Sequence, residues 1–184
     1  MILLTKIVKP LWIGVALCVG MVELTTNDRA ILIAEDHIGL TEDNGSNRSA
    51  HIDKWNSRLQ LPMGSSYCAS FVSFVLDSAG AVSPAIRTGV AQKFITRQSI
   101  TASQVLNGRA VPAGSIVIWK RGDTWMGHVG ITTKDWTGIS GETIEANTSP
   151  SDAGSQSNGD GVYRKQRKIS PTAYFRITHF TLVQ

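Results

Sequence analysis

The hydrophobic period of this chain changes once, near Gly114, and that change narrows the folds open to it. Before Gly114 apolar residues recur at helical spacing, and after it they alternate. The clearest helix signal is Gly64 to Gly80, where Cys68, Phe71, Val72, Val75, Leu76 and Ala79 form one stripe. Ser65 or Ser66 is the expected cap, and Gly80 suits a left-handed stop. Upstream, Asp28 to Leu40 reads as a helix capped by Asn27 or Asp28 and ended by Gly39, with Ile31, Ala34 and Ile38 at helical spacing. Ser49 to Leu59 reads as a short one with Ile52, Trp55 and Leu59 inward. A polar, helical connector is expected over Gly89 to Asn107. Strands follow at Gly114 to Lys120, Gly127 to Thr133, Glu142 to Thr148, Val162 to Lys168 and Tyr174 to Val183. Helices first and strands later predict an α+β domain with an antiparallel sheet.

Charge narrows the partners less than pattern narrows the fold. Residues 23–80 hold eight acidic and four basic side chains, and 81–184 hold twelve basic and six acidic. A basic C-terminal part suits an anionic polymer, nucleic acid or bacterial cell wall alike. No recognition helix, zinc finger or RNA-binding aromatic pattern supports nucleic acid, so none is expected as a partner. Lys6 and Lys9 precede or border an uncharged run from Pro10 to Val22, the pattern of an export signal and short for a membrane-spanning helix. Residues 1–23 are therefore expected to be a signal peptide or an N-terminal membrane tether, and 24–184 the working domain. With the segment and its Cys18 removed, Cys68 is the single cysteine of an exported chain, which points to thiol chemistry and away from a disulfide. Glu35, Asp36, His37, His51 and Asp53 fit no zinc spacing, and Glu42 to Asn47 lacks the calcium-loop pattern, so no metal or other cofactor is expected.

The candidate chemistry grows from Cys68. In the first turn of its helix, the dipole and the free amides favour a thiolate. His128 opens a strand whose Val129 and Ile131 take the opposite face. On the next strand Glu145 and Asn147 share a face while Ile144 and Ala146 take the other, so either polar residue can stand beside His128. The glycines around His128 are expected to leave space for substrate. A thiolate, an imidazole to move its proton and an acceptor to orient the imidazole are the parts of nucleophilic acyl transfer.

Ser66-Tyr67-Cys68-Ala69-Ser70-Phe71-Val72, Gly127-His128-Val129-Gly130-Ile131 and Thr143-Ile144-Glu145-Ala146-Asn147-Thr148 resemble the three motifs of CHAP domains, the cysteine, histidine-dependent amidohydrolases/peptidases of bacterial and phage cell-wall lysis. The resemblance extends over about residues 28–170, including Gly39 to Asn47 and Trp55. It implies a papain-like fold, with N-terminal helices packed on an antiparallel sheet and the nucleophile at a helix N-terminus. It implies Cys68 as nucleophile, His128 as base and acid, Glu145 as the group orienting it and Asn147 as a further polar member. Two positions depart from the family: Tyr67, where Trp or Gln is frequent, and Ala146, where Gly is frequent and a methyl is expected to narrow the cleft.

The resulting expectation is an exported peptidoglycan hydrolase, acting as a monomer in the periplasm, in the envelope or outside the cell. It would cut the muramoyl-L-alanine amide bond or a bond within stem or cross-bridge peptides. Tyr67 and exposed Trp125 are the expected substrate contacts, and Arg164, Lys165, Arg167 and Lys168 are expected on a solvated strand face. The rival readings are a non-catalytic wall-binding or scaffold module and an antibacterial effector with the same chemistry.

Overall fold

A computed structural model describes residues 23–151, 154–155 and 157–184. The apolar N-terminal run, with Cys18 and the expected signal or tether, lies outside the described residues. Among the described residues, no helix is long and apolar enough to cross a membrane.

Three helices come first. Thr25, rather than Asn27 or Asp28, caps α1 (Thr26–Glu35). Its hydroxyl accepts from the Asp28 amide, while the Asp28 carboxylate accepts from the Thr25 N–H at 2.9 Å, a reciprocal box that sets the start by the acidic residue three positions on. The helix ends before Gly39, so Ile38 is exposed while Ala30 and Ala34 are buried. Ser49 caps α2 (Ala50–Arg58), which buries Ile52, Trp55 and Asn56 and leaves Leu59 just past its last turn.

The third helix, α3 (Cys68–Ala79), is buried on almost every side. Gly80 closes it in the left-handed conformation, φ 73°, which costs glycine little. Its start differs from expectation, because Tyr67 occupies the capping position and no side chain caps it. The Ser65 hydroxyl instead donates to the Pro62 carbonyl at 2.7 Å. Buried Ser70 and Ser73 are reconciled with the core by donating to Asn56 Oδ1 at 2.6 Å and to the Thr88 carbonyl at 3.0 Å.

The connector is more broken than its polarity suggests: a 3₁₀ turn (Ala91–Phe94), a two-residue strand β1 (Ile100–Thr101) and a short α4 (Ala102–Leu106). Strands β2 (Ile116–Arg121), β3 (Gly127–Thr132), β4 (Ser140–Thr148), β5 (Gly161–Lys168) and β6 (Phe175–Thr181) complete a six-stranded antiparallel sheet in the order β1-β6-β2-β3-β4-β5. The whole is an α+β, papain-like arrangement. Alternation gives the sheet two apolar faces. Ile116, Ile118, Val129, Ile131, Ile144, Ala146 and Val162 join the core with α1 to α3. Val117, Trp119 and Ile177 join Val105, Val111, Trp136 and Phe180 on the other side. His128 lies opposite Trp119, and Glu145 opposite Gly130, so both polar residues belong to the second face.

Candidate active site

Cys68 is the first residue of α3, 7% exposed, on the wall of a cavity of about 560 Å³. A loop holds that helix start in place. Glu42 accepts from the Asn47 amide at 2.7 Å and from the Tyr67 hydroxyl at 3.1 Å, and the Asn47 side chain donates to the Gly64 carbonyl. The helix presents free N–H groups and its positive dipole end at the sulfur, a setting that stabilises negative charge.

His128 is fully buried between strands, its ring 5.3 Å from that of Trp119 and 6.3 Å from that of Phe175. Its Nε2 is 2.9 Å from Glu145 Oε2, which leaves Nδ1 as the nitrogen available to Cys68. Nδ1 makes no hydrogen bond of ordinary geometry, yet the sulfur lies near enough to act on the ring electrostatically. Burial alone would drive the imidazole toward neutrality. Hydrogen bonding and charge at Cys68 and Glu145 outweigh it and raise the pKa from 6.5 to about 9. The proton is thus held on a ring that stands between the Cys68 sulfur and the Glu145 carboxylate.

Glu145 is itself fully buried, and its ionised form depends on three partners. Arg167 straddles it, Nε to Oε1 at 2.7 Å and Nη2 to Oε2 at 2.5 Å, and the Thr143 hydroxyl donates to Oε1 at 2.5 Å. Burial works to protonate this carboxyl, but Arg167 and His128 hold its pKa down, from 4.5 to about 2. Arg167 is in turn stacked over Trp119, its guanidinium carbon 5.7 Å from the ring centre. The solvated strand expected around Arg167 is therefore only partly solvated. The Arg167 side chain is 12% exposed, and Lys165 is buried with Nζ on the Ser149 and Pro150 carbonyls. Arg164 bridges Glu35 and Glu142. Alternation groups Tyr163, Lys165 and Arg167 on one face of β5, and the observed register sets that face across from Glu145, Thr143 and Gly141.

The glycines near His128 also do structural work, and Gly127 lines the cavity beside Cys68. A Cβ on Gly130 would lie 2.6 Å from Glu145 Cγ and 2.9 Å from the Ile144 carbonyl oxygen. Its absence lets the Glu145 side chain lie across β3 to His128. A Cβ on Gly127 would meet the Trp119 carbonyl oxygen at 2.3 Å.

Asn147 makes no hydrogen bond to His128. It sits at an irregularity where β4 has one residue more than β5, with φ 59°, and neither polar atom of its buried side chain has a partner among the described residues. Tyr67 does not line the cavity as a substrate contact would: its ring is fully buried and its hydroxyl is spent on Glu42. Burial and the Glu42 carboxylate push that phenol pKa up, so it stays a donor. Ala146 points into the core shared with α3, away from the cleft it was expected to narrow. Trp125 is 74% exposed on the cavity wall.

The family model of the CHAP domain matches residues 60–147, from just before α3 to the end of β4. The chain carries a CHAP domain. CHAP domains are a family of cysteine- and histidine-dependent hydrolases acting on peptidoglycan, and they occur in cell-wall hydrolases that are often secreted. The matched stretch holds Cys68, His128, Glu145 and Asn147 and is narrower than the resemblance over residues 28–170. Arg167 lies beyond it. No curated protein and no solved structure matches the chain.

Proposed function

We propose that this CHAP domain is a peptidoglycan amidase or endopeptidase acting through a Cys68 thioester. The chain would act as an exported monomer, its apolar N-terminal run serving as signal or tether. The observation that carries the reading is the buried line from Arg167 through Glu145 to His128 Nε2, with Nδ1 left for the cysteine at the head of α3.

In this reading the Cys68 sulfur attacks the amide carbonyl carbon while its proton resides on His128. The oxygen gains negative charge at the start of α3, where the Cys68 N–H is one of four amides without a helical partner. His128 Nδ1 gives the proton to the leaving amine, the C–N bond breaks and a thioester remains. Water then attacks the thioester, losing a proton to His128, and the acid leaves as the thiol is restored. Glu145 keeps the ring oriented and its positive form stable. Asn147 contributes through its place on β4, where its left-handed backbone interrupts the regular pairing with β5. Trp125 offers an exposed ring for substrate to stack on.

The test incubates the full chain and its Cys68→Ala variant with purified peptidoglycan and weighs the soluble products by mass spectrometry. Fragments from the wild type alone support the reading, and their masses separate amidase from endopeptidase. Release by neither protein, or equally by both, contradicts it.

A further inference from the structure

Arg121 ends β2 on the wall of the same cavity as Cys68, and it is the only Lys, Arg, Asp or Glu among the cavity's described lining residues. One of its N–H groups donates to Ser157 Oγ at 2.8 Å, and its guanidinium carbon lies 5.5 Å from the centre of the Phe175 ring. Among the described residues no carboxylate pairs with it, and no second acceptor takes its remaining donors. An arginine fixed by a ring and a hydroxyl, half-buried and facing a cleft with its planar fork open, is arranged for a planar anion. Cys68 needs no charge from it, having His128 as its partner.

We propose that Arg121 reads a free carboxylate on the substrate, so that the cleft takes acidic peptides and discriminates against their carboxamides. This rests on the hydrolase reading for the identity of the peptide, since peptidoglycan stems carry such acids. The wall is otherwise neutral and partly apolar, with Leu61, Val90, Ala91, Trp125 and Met126, so a single well-placed acid on the ligand suffices for selection. A neutral cross-bridge segment would leave the guanidinium unanswered.

Binding can be read without turnover in the Cys68→Ala protein by isothermal titration calorimetry. The probes are the pentapeptide L-Ala-γ-D-Glu-L-Lys-D-Ala-D-Ala with both carboxylates free and the same peptide with both converted to carboxamides. The acid form is expected to bind about 10- to 100-fold more tightly, the range of a charge-assisted hydrogen bond. Adding Arg121→Gln should remove that preference by weakening the acid form alone, and Arg121→Lys should keep part of it. Equal binding of the two peptides, binding of neither at millimolar concentration, or equal weakening of both by Arg121→Gln would overturn the proposal. A preserved preference alongside no release from peptidoglycan by the Cys68 protein would leave the subsite standing and remove the hydrolase reading.

Discussion

Arg167 and Arg121 stand on the same sheet and have opposite fates. Arg167, on β5, is nearly buried and committed on one side to both oxygens of Glu145 and on the other to Trp119. Arg121, at the end of β2, is half-buried at the cavity with one hydroxyl and one ring as partners. The contrast separates two uses of one side chain. A buried charge survives only with its partner in place, so Arg167 belongs to the scaffold that holds His128. A charge left open beside a cavity is available to a ligand.

The most damaging way to break the contrast is to remove the carboxylate at its centre. Glu145→Gln should lower peptidoglycan release by roughly 10³- to 10⁴-fold, the loss seen when an orienting carboxylate is replaced. It also leaves the Arg167 charge buried without its partner, at a cost of about 3–5 kcal/mol in unfolding experiments. The sign of the pH effect is set by the two shifts. His128 is raised, so its contribution to stability is full below its ordinary value of 6.5 and is lost as pH rises through about 9. Glu145 is depressed, so its contribution is full above 4.5 and is lost as pH falls toward about 2. In Glu145→Gln the His128 proton loses its principal carboxylate, and the alkaline limb of kcat/KM should move from about 9 toward lower pH. An unmoved limb would mean that the carboxylate does not hold that proton.

A smaller and more local perturbation is Gly130→Ala. The new methyl would collide with Glu145 Cγ at 2.6 Å, and overpacking of this kind costs about 1–3 kcal/mol. Activity should fall through kcat, with KM and the preference for acidic peptides retained, because the cavity wall is untouched. Loss of the preference as well would merge the two arginine sites into one.

Much of this architecture was legible in the residues. The stripe from Cys68 to Ala79, closed by Gly80, marks a core helix unambiguously, because its apolar face and its stop signal agree. Alternation placed His128 and Glu145 on matching faces, and the observed register makes them diagonal neighbours. What stayed hidden depends on distant pairing. The sequence between Thr148 and Gly161 leaves the register of β5 open, so Arg167 reads as one of four basic residues on a polar strand. Strict alternation groups Asn147 with Glu145, and the local break in pairing at that residue defeats the rule. Tyr67 stands beside the nucleophile in sequence but ahead of the helix, where its ring turns inward to Glu42 from a loop twenty-five residues away. No periodicity reports a contact of that kind.

The most direct test of the buried line needs no substrate. Cys68 in the full chain can be alkylated with iodoacetamide at pH 7 and followed by the mass of its own tryptic peptide, so that Cys18 does not enter the rate. The account predicts fast alkylation in the wild type, slowing of about 10-fold in Glu145→Gln and Arg167→Met, and a larger loss in His128→Ala, since each step back from the sulfur weakens the positive imidazole beside it. Equal rates in wild type and His128→Ala would show that the imidazole does not activate Cys68, and the account would fail.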